Sequence, residues 1–152
     1  MDKKAAKRVN IVSLKMVRES SFLYGNRVIN SPADAAEMVG PFIEDSPNEF
    51  VILVALDTKN RPNLLTTIGV GTLNCCLIHP REIYKLALLA NAHSIIIFHN
   101  HPSSDTNPSV EDIEITRRLQ EAGTLLGVEL TDHIILGSGG KYTSLKEKGI
   151  LS

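Results

Sequence analysis

The stretch SIIIFHNHPSSDTNPSVED occupies residues 94–112 and combines three kinds of local structure. Residues 94–99 are a short apolar run that ends in a histidine, which predicts a buried strand. Residues 100–108 carry two prolines and several small polar residues, which predicts a loop. Ser109 is a good helix N-cap, and the residues after it predict a long helix up to Gly127. A strand, a loop and a helix in direct succession bring the polar side chains of this stretch to one end of a sheet.

His99, His101 and Asp112 are the candidate metal ligands within this stretch. Alternate residues of a strand point to the same side, so two histidines two positions apart can converge on one ion. Asp112 lies in the first turn of the predicted helix, and the proline-containing loop can fold that turn back toward the strand. Three protein ligands with an open fourth position are typical of a catalytic zinc site. A His-x-His pair also arises by chance, and Asp112 alone could simply favour the helix N-terminus through the helix dipole.

The elements on either side complete a mixed α/β pattern with at least one antiparallel hairpin, rather than a purely doubly wound sheet. Period-two alternation over residues 9–18 indicates a leading strand, and residues 1–8 are expected to form a tail. We therefore divide the chain into residues 1–27, the tail and leading strand, and residues 28–152, one α/β domain. The other predicted elements are strands over 49–57, 64–73, 128–136 and 142–145, a helix from Pro32 that Gly40-Pro41 should kink or end early, and a helix from Pro80 to about Asn91.

The overall charge restricts the partners of the chain. Its 152 residues carry a formal net charge of −1, whereas a broad nucleic-acid footprint usually needs a clearly basic face. The basic residues among positions 3–8 favour a solvated tail over a short arm that touches nucleic acid. No segment reaches the roughly 18 apolar residues of a membrane span, and no signal-peptide pattern is present. We expect a cytoplasmic protein without a membrane partner, in which the adjacent Cys75 and Cys76 are thiols rather than a disulfide.

The spacing H-x-H-P-x6-S-x2-D runs without a gap from His99 to Asp112 and resembles the JAMM (MPN-plus) metalloprotease motif. The residue between the histidines, commonly Ser or Thr in deubiquitinating members, is Asn100 here. Over about residues 28–150 the chain resembles the bacterial RadC family, in its short form without the N-terminal helix-hairpin-helix region. The stretches that carry this second resemblance are Gly71-Thr72-Leu73-Asn74, His79-Pro80-Arg81-Glu82, Asn91-Ala92, His99-Asn100-His101-Pro102-Ser103 and Asp132-His133-Ile134-Ile135.

The resemblance implies a fold and a chemistry. The JAMM domain is a curved mixed β-sheet flanked by helices, related in architecture to cytidine deaminases. One zinc ion would be held by the three ligands, and Glu49 would act as general acid and base while Ser109 donates a hydrogen bond to the oxyanion. Other carboxylates weighed for the role of Glu49 are Glu44, Glu82 and Glu111. The implied function is a zinc-dependent hydrolase of the metallopeptidase or isopeptidase type, acting on a protein or peptide.

Two other functions stay open at this level. One is a DNA-repair or recombination accessory protein without proteolytic activity, although the charge makes direct DNA binding doubtful. The other is an interaction scaffold, and a homodimer is possible in every case. The remaining polar residues are expected to have structural roles. We expect His133 to be a buried histidine or a partner of a ligand, His79 to cap a helix and His93 to lie in a loop. Asn100 should make a structural hydrogen bond on the side opposite the ligands, and Ser103, Ser104 and Asp105 should be turn residues or substrate contacts.

Overall fold

A computed structural model describes residues 5–25, 27–43, 46–70 and 78–152. Within these ranges the chain forms three α-helices and five strands. The elements are α1 (Pro32–Ile43), β1 (Phe50–Leu56), β2 (Pro62–Val70), α2 (Pro80–Leu89), β3 (Ser94–Asn100), α3 (Val110–Leu126), β4 (Glu129–Leu136) and β5 (Tyr142–Ser144). The predictions for Lys3, Lys4, Glu44, Cys75, Cys76 and residues 71–73 lie outside the described residues.

The strands form one mixed sheet in the order β2-β1-β3-β4-β5. The strand β1 pairs antiparallel with β2 and with β3, whereas β3 and β4 are parallel. A parallel pair needs a long crossover connection, and α3 supplies it. The short β5 closes the sheet antiparallel to β4. This arrangement confirms the prediction of a mixed sheet flanked by helices, rather than a purely parallel one.

The sheet separates two apolar layers. On one face α1 covers the side chains that include Val54, Phe98 and Ile134. On the other face α2 and α3 cover a second set that includes Leu53 and Ile97. Both faces of β3 are therefore buried, which is why its sequence is a continuous apolar run rather than an alternating one. The polar ends of β1, β3 and β4 come out at the same edge of this double layer.

The prediction of a leading strand over residues 9–18 is wrong. Residues 5–24 form neither helix nor strand, and the apolar side chains of Val9 and Ile11 are 89% and 102% exposed. Period-two alternation specifies a strand only where a neighbouring strand completes the ladder, and no described strand pairs with this segment. Burial begins at Ile29, whose backbone N–H donates to the Asn60 carbonyl at 2.9 Å.

The helices differ only at their ends from the sequence prediction. The helix α1 continues two residues beyond Pro41 and ends at Ile43, so Pro41 does not end it at once. The helix α2 begins at Pro80 as predicted. His79 occupies its N-cap position, where the backbone carbonyl accepts the Glu82 N–H at 3.0 Å, but the His79 side chain makes no capping hydrogen bond. Across the described ranges, no helix has the length and apolarity that crossing a membrane would require.

Candidate metal centre

His99, His101 and Asp112 meet where β3 ends and α3 begins. His99 lies on β3 and is fully buried, His101 follows the strand directly, and Asp112 is the third residue of α3. The Nε2 atoms of the two histidines are 3.0 Å apart. Asp112 Oδ1 lies 3.2 Å from His99 Nε2, and Asp112 Oδ2 lies 3.2 Å from His101 Nε2. One donor atom from each residue lies within 4.8 Å of the others, so the three residues could hold one metal ion.

A reciprocal cap at the start of α3 orients the Asp112 carboxylate. The Asp112 backbone N–H donates to Ser109 Oγ at 3.1 Å, and the Ser109 backbone N–H donates to Asp112 Oδ2 at 2.8 Å. This is a capping box with aspartate at its third position. The cap occupies Oδ2 from one side and leaves Oδ1 facing His99. Ser109 is therefore the N-cap, as predicted, and the cap itself places Asp112 beside the histidines.

The loop after β3 sets the proton position of His101. The only role a backbone carbonyl can take is acceptor, so His101 Nδ1–H donates to the Asp105 carbonyl at 2.6 Å. Neutral His101 then carries a lone pair on Nε2, the atom that faces the cluster. The turn is closed by the Ser104 N–H, which donates to the His101 carbonyl at 2.8 Å. The sequence predicted Asp105 to be a turn residue or a substrate contact, and in the structure its backbone carbonyl also orients His101.

A buried chain of hydrogen bonds sets the proton position of His99. Thr116 Oγ1 donates its single hydrogen to the Asp112 carbonyl at 2.6 Å, so toward His133 Nδ1, also at 2.6 Å, it can only accept. His133 therefore carries its proton on Nδ1 and accepts at Nε2. His99 Nδ1 lies 2.7 Å from that Nε2 and must be the donor. Neutral His99, like His101, then presents the bare lone pair of Nε2 to the cluster.

The pKa shifts in the cluster follow from burial and pairing. Burial alone would raise the pKa of Asp112, but pairing with the imidazoles of His101 and His99 outweighs it and holds the pKa of that carboxyl well below its usual range. The hydrogen bond to Asp112 raises the pKa of His101, against the opposing effect of burial. Complete burial lowers the pKa of His133 well below its ordinary value, and the neighbouring His99 lowers it further. Neutral His133 is what the proton chain through Thr116 requires.

Glu49 lies just before β1, near the end of the sheet that carries His99. The last pair of the ladder between β1 and β3 is Val51 with His99, and the same register continued for two residues would place Glu49 opposite His101 and on the face of His99. Its side chain is half-buried, and its negative charge helps to raise the pKa of His101. The rival carboxylates are less suitably placed: Glu111 is exposed, and Glu82 is paired with Lys85 at 3.0 Å.

Two further histidines and an asparagine fall where the sequence placed them. His133 is buried and hydrogen-bonded to His99, and His93 lies in the loop ahead of β3. Asn100 points to the α1 side of the sheet and makes hydrogen bonds to the backbone, as expected. Thr116 was missed, although one signal could have found it: it lies four residues after Asp112, on the same face of the predicted helix.

A groove of about 630 Å³ opens beside His101 on the α1 side of the sheet. Its size falls in the usual range of small-ligand and peptide clefts. Its walls combine apolar and charged groups from α1, the loop after β3 and the segment between β4 and β5. Among them are Ala36, Glu37, Pro102, Lys141 and Tyr142. The sequence did not reveal this groove, because its walls come from segments about a hundred residues apart.

The donor set fits zinc. Two imidazole nitrogens with free lone pairs and one carboxylate oxygen are the ligands of many catalytic zinc sites. Each imidazole is oriented through its other nitrogen, as is general for metal-bound histidines. Among the described residues three such ligands converge, and three ligands with an open coordination position are typical of a catalytic site, whereas a structural site is commonly closed by a fourth residue.

Comparison with known proteins relates the domain to a recognised family. The profile of the RadC-like JAB domain matches residues 29–150. A UPF0758 protein of Desulfitobacterium hafniense is 48% identical over 124 residues, which are 82% of this chain and 54% of the relative. A UPF0758 protein of Methanosarcina mazei is 40% identical over 148 residues, which are 97% of this chain and 64% of the relative. A UPF0758 protein of Clostridium tetani is 47% identical over 135 residues, 88% and 59% of the two chains. The chain thus spans between 54% and 64% of the length of these relatives.

Proposed function

The chain belongs to the RadC-like JAB domain family, and from that premise we propose that it is a zinc-dependent hydrolase that cleaves amide or isopeptide bonds. One observation carries the proposal. The Nε2 atoms of two histidines and the carboxylate of Asp112 converge, and one of these three residues, His101, also lines a groove of about 630 Å³. In their neutral forms both histidines carry their proton on Nδ1 and leave Nε2 for the metal ion.

Glu49 is the proposed general acid and base. A bound zinc ion supplies Lewis acidity, which polarises a carbonyl oxygen and lowers the pKa of water toward about 7. The Glu49 carboxylate, which the continued register would place on the face of His99 and opposite His101, takes the proton from the attacking water and delivers it to the leaving amine. One carboxylate can serve both steps because the amine leaves from the position near which the water attacked.

Ser109 is the proposed hydrogen-bond donor to the developing oxyanion. Its oxygen already accepts the Asp112 backbone N–H, and within the described part of the chain its hydroxyl hydrogen has no acceptor. That hydrogen is therefore available for a substrate oxygen. A donor of this kind commonly contributes roughly 10²–10³ in rate.

The substrate is proposed to be a peptide or protein segment that lies in the groove between α1 and the turn after β4. Its mixed walls suit a chain with both apolar and charged side chains, because Glu37 and Lys141 add opposite charges to apolar neighbours. The scissile bond would lie at the His101 end of the groove.

The test has a binding part and a catalytic part. We expect the purified protein to take up one equivalent of zinc, and His101→Ala to lose it. With a panel of fluorogenic peptides and isopeptide-linked lysine probes, Glu49→Gln should abolish turnover but keep zinc, while Glu111→Gln, which changes an exposed carboxylate next to Asp112, should behave like the wild type. Absence of divalent metal at these three residues in the purified protein sinks the proposal.

A further inference from the structure

Asn100 contacts the backbone on both sides of Glu49. Its Oδ1 accepts the Phe50 backbone N–H at 2.8 Å, and its Nδ2 donates to the Asn48 carbonyl at 2.9 Å. We call these two hydrogen bonds the Asn100 bridge. The two peptide groups that it binds are the ones that flank the φ and ψ bonds of Glu49. From this geometry we infer that Asn100 is a positioning residue, which holds Glu49 in its place opposite His101.

The bridge acts at a point where the strand pairing is ending. The ladder between β1 and β3 begins at Val51 and His99, two residues after Glu49. One residue beyond this pair, the Asn100 carboxamide replaces a backbone peptide group as the partner of β1, since it offers one acceptor and one donor with similar spacing. The two bonds thereby restrain the main chain at Glu49, although this residue lies outside β1.

A carboxamide suits both bonds, because it carries one acceptor and one donor side by side. The assignment of oxygen and nitrogen is unambiguous, because the Phe50 N–H needs an acceptor and the Asn48 carbonyl needs a donor. Asn100 is 5% exposed, so water competes little with either bond. The side chain also points to the sheet face opposite His99, and the bridge therefore leaves the metal ligands untouched.

The bridge makes a specific demand on the mechanism. A general base must lie within hydrogen-bond reach of the proton it takes, and displacement of about 1 Å can cost roughly a hundredfold in rate. The two hydrogen bonds of the Asn100 bridge restrict the main chain at Glu49 and are made to backbone groups, not to its carboxylate. This inference rests on the proposed function for the role of Glu49, but not for the existence of the bridge.

The first experiment needs no metal. Hydrogen exchange at the Phe50 amide, followed by NMR in the metal-free protein, should accelerate roughly threefold to tenfold in Asn100→Ala, the range expected for loss of one hydrogen bond. Asn107→Ala is the matched control, since its amide bonds Asp105 in the exposed loop beside the site and should leave Phe50 unchanged. Unchanged Phe50 exchange in Asn100→Ala would refute the bridge.

The second experiment asks whether the bridge acts through Glu49. In the cobalt-loaded protein, the negative charge of Glu49 should raise the midpoint of the pH titration of the visible spectrum. Glu49→Gln should lower that midpoint by about half a pH unit or more. Asn100→Ala should also lower the midpoint, and the variant that combines Asn100→Ala with Glu49→Gln should show no further shift. The zinc affinity of Asn100→Ala should stay within about twofold of wild type. Should Asn100→Ala fold poorly, Asn100→Thr, which keeps one hydrogen-bonding group, replaces it and should give a smaller shift.

The outcomes separate the two ideas. A wild type that binds neither zinc nor cobalt contradicts the proposed function, and the bridge is then decided by Phe50 exchange alone. A wild type that binds metal, with an Asn100→Ala midpoint equal to wild type or with additive shifts in the double variant, overturns the positioning role and leaves the proposed function intact.

Discussion

Thr116→Val removes the hydroxyl that sets the proton positions of two buried histidines while it keeps the branched shape of the side chain. In the wild type this hydroxyl accepts the His133 Nδ1–H at 2.6 Å. In the variant that N–H loses its acceptor. His133 can avoid the loss by moving its proton to Nε2, but Nε2–H must then donate to His99 Nδ1. The His99 proton then lies on Nε2, the atom that faces Asp112.

The size of the effect follows from this choice of proton positions. In the alternative arrangement of the metal-free variant every buried histidine N–H has an acceptor, and only the lone pair of His133 Nδ1 is left without a partner. A metal on His99 Nε2 forces the original arrangement, in which the buried His133 N–H has no acceptor. An unsatisfied buried donor costs about 1–3 kcal/mol. Metal affinity should therefore fall by about 5- to 150-fold, a range that includes the tenfold to hundredfold loss typical when the outer partner of a metal-bound histidine is removed.

The assay is competition for zinc against a chromophoric chelator at neutral pH. The control is Thr124→Val, because Thr124 is in the same helix and its hydroxyl makes the same type of bond, to the Gln120 carbonyl at 3.0 Å, but with no histidine attached. Thr124→Val should bind zinc as the wild type does. If a folded Thr116→Val protein binds zinc within about twofold of the wild type, the proton chain through His133 does not control the site.

Three other predictions concern stability and the helix cap. Ser109→Ala should lower the free energy of unfolding by about 1 kcal/mol through loss of the α3 cap and, if Ser109 contacts the oxyanion, should lower turnover by roughly 10²–10³. The control is Ser31→Ala, which loses the equivalent bond to the Asp34 N–H and should lose stability alone. Equal turnover in both variants contradicts the oxyanion role. Gly123→Ala should destabilise the protein by about 1–3 kcal/mol in chemical denaturation, because the new methyl group would collide with Tyr84 Oη and the Val128 carbonyl, while Gly69→Ala, which meets open space, should change little. Burial raises the pKa of Tyr84 to about 12, so above about pH 10 the unfolded chain releases a proton that the folded chain keeps. The free energy of unfolding should therefore fall by about 1.4 kcal/mol per pH unit between about pH 10 and 12. Tyr84→Phe should remove that part of the slope.

Local sequence accounted for the parts of the site that lie close together in the chain. The apolar run before His99, the prolines of the loop and the cap at Ser109 each specify their own conformation, so the approach of Asp112 to the two histidines was predictable. The alternation over residues 9–18 shows where this reasoning fails. A strand is completed by a partner elsewhere in the chain, and the pattern alone cannot say whether the partner exists.

What the sequence by itself determined is therefore the identity and spacing of the candidate metal ligands, together with the strand, loop and helix that carry them. Only the tertiary structure decided which distant groups surround them. The order of strands brings His133 against His99, the register of β1, continued for two residues, would place Glu49 opposite His101, and the position of α1 forms the groove. The physical reason is that covalent geometry restricts residues a few positions apart, whereas contacts between remote segments depend on how the whole sheet pairs and which layer covers each face.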